Sequence, residues 1–277
     1  MSLIGSEIFN RLRAVGSHKG KIDGIGEVGL LLAKLSLPNN ELGQYLKELD
    51  LISSDMSQAS LGVNTLADQI KSLHDVIYAQ HGYHGDVVSY NDMQNANLMR
   101  VIDRRKGLPV SLGILLMQAA RSQGWNIAGL NFPGHFLLRL SKLGEHAIIN
   151  PFDDARLMLA DELNQLLQGA YGSNIKLSRE FIKTVSDHDV LIRLQNNIKI
   201  RALQEGDHKR AIEVLVSMNL ILPINIDILS ELALLESNQG NYQRAIKRLE
   251  LFLEHNLKAL DRVRIITLKN KLKHNLN

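Results

Sequence analysis

The sequence predicts an α+β protein: a helical N-terminal section, then a mixed core, then an all-α repeat pair. Three observations carry that prediction. Apolar residues recur at three- and four-residue intervals through the first hundred positions, as in helices that bury one face. After Gly124 the pattern breaks into short runs separated by Pro-Gly and Leu-Gly turns. Beyond Ser186 the chain reads as helical again and repeats itself at an offset of 34 residues.

The elements follow in order. Leu30, Leu31, Lys34 and Leu35, then Leu42, Tyr45, Leu46 and Leu49, mark two helices broken at Pro38-Asn39-Asn40. A further helix is expected over Leu66 to Tyr78, a glycine loop over His81 to Asp86, and helix again over Tyr90 to Ile102. Gly107-Leu108-Pro109 punctuates the chain before an apolar helix from Ser111 to Gln123, which Gly124 ends. Three strands are expected over Asn126 to Phe132, Phe136 to Leu140 and His146 to Ile149, with helix from Leu157 to Leu167. One helix followed by short antiparallel strands points to α+β rather than to a doubly wound sheet.

In the C-terminal section, Gly206, Ala211, Ile212 and Leu215 recur as Gly240, Ala245, Ile246 and Leu249. That spacing is the tetratricopeptide period, with glycine at the turn between paired helices and alanine where they approach closely. The first repeat departs at Lys199, where the second has Ala233. The expected division is 1–185 and 186–277.

Hydrophobic residues at 45% and charged residues at 22% fit an ordinary globular chain, and no apolar run approaches the roughly 20 residues of a membrane span. Glu7 interrupts any secretory apolar core, so the chain is expected to be cytoplasmic. The absence of cysteine excludes disulfides, thiolate metal sites and a cysteine nucleophile. A net charge of +3 gives no general affinity for nucleic acid. Lys258, Arg262, Arg264, Lys269, Lys271 and Lys273 stand against Asp261 alone in the C-terminal tail, which reads as a solvated helix face or, alternatively, as a surface for an acidic or anionic partner.

Two motifs suggest ligands and fail on context. Gly24-Ile-Gly26-Glu-Val-Gly29 spells a dinucleotide fingerprint, but His18-Lys-Gly-Lys-Ile-Asp23 precedes it where a buried strand is required. His81, His84 and Asp86 lie in a glycine loop without the helical spacing of a His-Glu-x-x-His metal site. Neither a cofactor nor a metal is expected.

The informative segment runs Val101-Ile-Asp-Arg104-Arg105-Lys106-Gly107-Leu-Pro109-Val-Ser111-Leu, then Asn131-Phe-Pro133-Gly134-His135-Phe-Leu-Leu and Ile149-Asn150-Pro151-Phe152, with Tyr90-Asn-Asp-Met-Gln-Asn95 upstream. From about Glu27 through the repeats it resembles a bacterial family that joins a transglutaminase-like domain to tetratricopeptide repeats, often given a Sir-type invasion-regulator label. The resemblance implies a papain/transglutaminase-like core in which a helix start and two neighbouring strands supply nucleophile, base and orienting group. Those positions hold Ser111, His135 and Asn150, where catalytic members have cysteine, histidine and aspartate.

That set is chemically weak. A cysteine at a helix start becomes a reactive thiolate, whereas a serine depends wholly on its base. Asparagine in place of aspartate leaves the imidazolium without a counter-charge, which costs a serine protease about 10⁴ in rate. Ser111 could equally cap its helix, and Asp153 or Asp154 could replace Asn150. Arg104, Arg105 and Lys106 read either as a solvated helix end or as a rim for an anionic partner. The expected function is non-catalytic binding of polypeptide partners through a degenerate cleft and the repeats. The alternative is a hydrolase or acyl-transfer enzyme using Ser111, His135 and Asn150.

Overall fold

A computed structural model describes residues 3–172, 175–255 and 258–275. The chain forms two compact units, Gly20–Leu194 and a discontinuous one of Met1–Lys19 with Gln195–Asn277. The first helix, α1 (Leu3–Ser17), thus belongs with the C-terminal helices. The boundary between these units falls inside a long helix, past the expected 185/186.

In the unit Gly20–Leu194, Gly24 to Gly29 opens α2 (Ile25–Ser36), a helix entry and not a phosphate loop. It is followed by α3 (Leu42–Ala59) and α4 (Leu66–His74). Thr65 and Asp68 exchange hydrogen bonds as a capping box at the start of α4, which continues as a π-helical turn over Asp75–Gln80. The stretch expected as one helix from Tyr90 is instead a 3₁₀ turn at Met93–Ala96 and then α5 (Leu98–Arg104). Asp92 and Asn97 each accept a main-chain N–H two or three residues on, which starts a new element rather than extending one.

Beyond it, α6 (Pro109–Ser122) is buried along most of its length, from Val110 to Met117. Pro109 fits the first turn because no helical partner awaits its missing N–H. The sheet that follows has four antiparallel strands where three were expected: β1 (His84–Gly85) and β2 (Lys106–Gly107) form a separate parallel pair, and then β3 (Asn126–Gly129), β4 (Leu138–Lys142), β5 (Glu145–Asn150) and β6 (Arg156–Leu157) lie in sequence order. Leu138 pairs with Ile149 and Leu140 with Ala147, so these four share the buried face. Leu143 (φ 50°) and Gly144 (φ 89°) make the two-residue turn between β4 and β5, the left-handed pair that matches strand twist. Leu163 and Leu167 of α7 (Ala160–Tyr171) join Leu130, Phe132, Leu137 and Met158 in a second apolar cluster.

The helix α8 (Asp187–Gln204) contributes to both units. In the other unit follow α9 (His208–Ile221), α10 (Ile226–Asn238), α11 (Tyr242–Leu253) and α12 (Ala259–His274). The repeat prediction is met residue by residue: Ala211, Leu215, Ala245 and Leu249 are fully buried. Lys199 buries its stem and donates from Nζ to Glu231 Oε2 at 2.6 Å, which accommodates lysine at a close-packing position. On α12, Arg264 pairs with Asp227 and Lys273 with Glu250, both at 2.9 Å. α1 packs against α9 closely: a Cβ added at Gly16 would lie 2.0 Å from the main-chain oxygen of Leu220. Among the described residues, no helix is long and apolar enough to cross a membrane.

Candidate functional site

Because α6 begins at Pro109, Ser111 lies inside its first turn and Leu108 occupies the cap. The capping role expected of Ser111 is therefore not the one it plays. Its side chain is fully buried, and its hydroxyl donates to the main-chain oxygen of Asn95 at 2.6 Å. The same oxygen accepts the Leu108 N–H at 3.0 Å. A nucleophilic serine must pass its proton to a base; here the proton faces a carbonyl, which cannot take it. Among the described residues, no hydrogen bond joins Ser111 to His135.

Asn95 is the centre of this arrangement. Its Nδ2 donates to Ser89 O at 2.7 Å, and its Oδ1 accepts from Arg104 Nη1 at 2.9 Å. Arg104 Nη2 donates in turn to Asp86 Oδ2 at 2.8 Å, while Asp86 Oδ1 accepts the Ser89 N–H at 2.9 Å. Asp86 is 3% exposed. Burial pushes its carboxyl up, but the hydrogen bonds from Ser89, Asn95 and Arg104 outweigh that and hold it below the ordinary value. The network ties the Tyr90 loop to the start of α6.

Arg105 sits in left-handed backbone at φ 56° and directs its guanidinium to Glu48 and to the Tyr83 hydroxyl, with its centre 4.6 Å from the Tyr83 ring. His81 is held between Glu48 and Asp55 through its two ring nitrogens, at 3.2 and 2.8 Å. The rim expected of Arg104, Arg105 and Lys106 is thus mostly committed elsewhere: the carboxylates of Asp86 and Glu48 take both arginines. Lys106 lies half-buried in β2. His81, His84 and Asp86 do not converge, since His84 Nδ1 faces Gly82 O at 3.2 Å and Asp86 faces Arg104.

His135 lies in the turn before β4, not on a strand, because Pro133 and left-handed Gly134 (φ 73°) delay strand pairing until Leu138. Its ring is exposed and stands edge-on to Phe132 at 6.3 Å. Partial burial and the nearby Arg193 guanidinium lower its pKa, which favours the uncharged imidazole. Arg193, from α8, lies 5.4 Å from the centre of the Phe136 ring and donates to Phe132 O at 3.3 Å. Phe136 packs on α6 where only glycine leaves room: a Cβ at Gly113 would stand 2.4 Å from its ring.

Asn150 ends β5, and its Oδ1 accepts the Phe152 N–H at 3.0 Å. Tyr78 donates to Pro151 O at 2.7 Å, and the Phe152 ring meets Tyr90 edge-on at 5.5 Å. Asn150 therefore shapes the Pro151 turn; among the described residues, no hydrogen bond joins it to His135. Asp153, one of the two aspartates offered in place of Asn150, is paired with Arg156. The structure places Ser111 and Asn150 in the framework and brings His135 together with Arg193, Phe132 and Phe136. The roles of Asn95 and Asp86 were visible as motif residues but not as a network. Arg193 carried no local signal, because it reaches the site from a helix some sixty positions away.

Comparison with known proteins agrees with this architecture. A family model described as the transglutaminase-like superfamily matches residues 43–196, and one described as a tetratricopeptide repeat matches 198–268. A UPF0162 protein of Haemophilus influenzae is 27% identical over 209 residues, 74% of this chain and 78% of that one. A UPF0162 protein of Vibrio cholerae is 27% identical over 230 residues, 83% of this chain and 85% of the relative. F-box only protein 21 of Mus musculus is 33% identical over 84 residues, 30% of this chain and 13% of the other. With more than half of its length matched, the chain belongs to the transglutaminase-like superfamily.

Proposed function

We propose that this chain is a non-catalytic polypeptide-binding adaptor, a regulator in the cytoplasm that holds protein partners through a degenerate transglutaminase-like cleft and a tetratricopeptide repeat pair. One observation carries the reading: the hydroxyl at the expected nucleophile position, that of Ser111, is fully buried and donates to Asn95 O at 2.6 Å. With no cysteine in the chain, the cleft lacks the thiolate that such a site would use. The repeats support partner binding because stacked helix pairs present extended surfaces. The test is treatment of the full chain with a serine-directed fluorophosphonate probe and with ester, amide and glutamine substrates. No labelling and no turnover are expected; activity lost in both Ser111→Ala and His135→Ala would overturn the reading.

A second reading, a hydrolase or acyl-transfer enzyme using Ser111, His135 and Asn150, draws support from His135 alone. An exposed imidazole biased towards its uncharged form is fit to accept a proton. It requires the first turn of α6 to rearrange so that Ser111 leaves Asn95, and the same probe experiment decides it.

A further inference from the structure

The helix α12 carries apolar residues on two faces, and the packing of its unit uses one of them. Ile265 and Leu272, with the partly buried Leu268, enter the apolar cluster that also holds Leu249 and Phe252. On the outer face Leu260, Val263 and Ile266 are 80%, 61% and 38% exposed. A single exposed apolar side chain is ordinary. These three recur every third residue and so form one row along a face that is normally polar.

Basic side chains border the row on both sides. Arg264 and Lys271, seven positions apart, lie about two turns from each other on one flank. Arg262 and Lys273, eleven positions apart, lie about three turns from each other on the opposite flank. Ion pairs take part of this charge: Arg264 meets Asp227 at 2.9 Å, and Lys269 and Lys273 share Glu250 at 4.0 and 2.9 Å. Arg262 donates to the main-chain oxygen of Leu253 at 3.1 Å, and neither it nor Lys271 has a carboxylate partner among the described residues. With Lys258 at the cap, six cations stand against Asp227, Glu250 and Asp261, an excess of three positive charges.

These features choose among occupants. A second copy of the chain would bring the same cations to the contact, and like charges oppose it. Nucleic acid would answer the charge and leave the apolar row in water. A partner helix seats in a groove, whereas side chains as exposed as Leu260 and Val263 protrude. A protruding apolar row bordered by long cationic side chains is the layout of a helix lying in a membrane interface.

We propose that α12 lays its outer face on an anionic lipid bilayer, with Leu260, Val263 and Ile266 entering the headgroup boundary and Arg262, Arg264, Lys271 and Lys273 meeting the lipid phosphates. The helix rests on the bilayer and does not cross it, in keeping with its 16 residues. The inference stands apart from the reading of the transglutaminase-like cleft.

The experiment sediments the full chain with vesicles of phosphatidylcholine alone or mixed with phosphatidylglycerol, at low and high salt. Binding to the mixed vesicles that weakens with salt is expected. The double variants Leu260→Ser/Val263→Ser and Arg262→Gln/Lys271→Gln should each weaken it by at least about tenfold. All four positions are exposed, so the variants should fold, which circular dichroism checks. Val263→Cys puts a single thiol into a chain that has none. Labelled with a nitrobenzoxadiazole dye, it should brighten and shift to the blue on mixed vesicles. No binding to mixed vesicles, equal binding to phosphatidylcholine alone, unchanged binding of either double variant, or an unshifted dye would overturn the proposal. Capture by polyglutamate in place of vesicles would also overturn it and give the face to an acidic protein.

Discussion

Ser111 and Asn95 are joined by a 2.6 Å hydrogen bond from a buried hydroxyl to a main-chain oxygen, across sixteen positions of sequence. The bond turns a residue at the expected nucleophile position into a fastener for the loop that precedes α5. Ser111→Ala should therefore lower stability by about 1 kcal/mol, the usual worth of one such bond, because Asn95 O keeps the Leu108 N–H as a donor. Urea denaturation reads this directly. Ser111→Cys should place a thiol that iodoacetamide does not reach in the folded protein; rapid alkylation would mean that the first turn of α6 opens.

Gly113 and Phe136 make a second test of how the cleft is built. Gly113→Ala puts a methyl 2.4 Å from the Phe136 ring, and overpacking of this kind costs about 1–3 kcal/mol. Adding Phe136→Leu should recover part of the loss, and a double-mutant cycle measures the coupling.

Asp86 and Arg104 predict an acid sensitivity. The Asp86 carboxyl titrates below its ordinary value in the folded chain, so its stabilising contribution is complete above about pH 3.9 and is lost as pH falls through the lower folded value. Arg104→Leu leaves a buried carboxylate without its partner and should cost about 3–5 kcal/mol. The acid-unfolding midpoint of the variant should move to higher pH.

For His135 the sign is set by a lowered pKa on a base. Its contribution to stability is complete above the ordinary value of about 6.5 and declines as pH falls from there towards the folded value, because the unfolded chain takes up the proton first. Arg193→Gln should raise the His135 midpoint, followed by NMR titration of the ring, without restoring it fully, since burial remains the larger cause. An unchanged midpoint would show that Arg193 does not act on the ring.

The helices, the repeat pair and the β4–β5 turn were legible because each is set locally: by apolar spacing, by Gly206 and Gly240, and by Leu143-Gly144. The site was legible only as a set of motifs. Gly107-Leu-Pro109 and Pro133-Gly134-His135 fixed where the chain turns, yet which groups each side chain meets depended on partners far away in sequence. Arg104 and Arg105 looked solvent-facing because Asp86 and Glu48 lie 18 and 57 positions upstream. The two-residue strand β6 was hidden by left-handed backbone at Asp154 and Ala155, residues that rarely announce it.

The packing of α1 on α9 also orders events during synthesis. Gly16 leaves the ribosome roughly 200 residues before Leu220, the main-chain group it must meet. At about 5–20 residues per second that is a delay of about 10–40 s, during which α1 has no partner while all of Gly20–Leu194 emerges and can fold as a unit. The contacts of α1 with α9 are thus made only after all of Gly20–Leu194 has emerged.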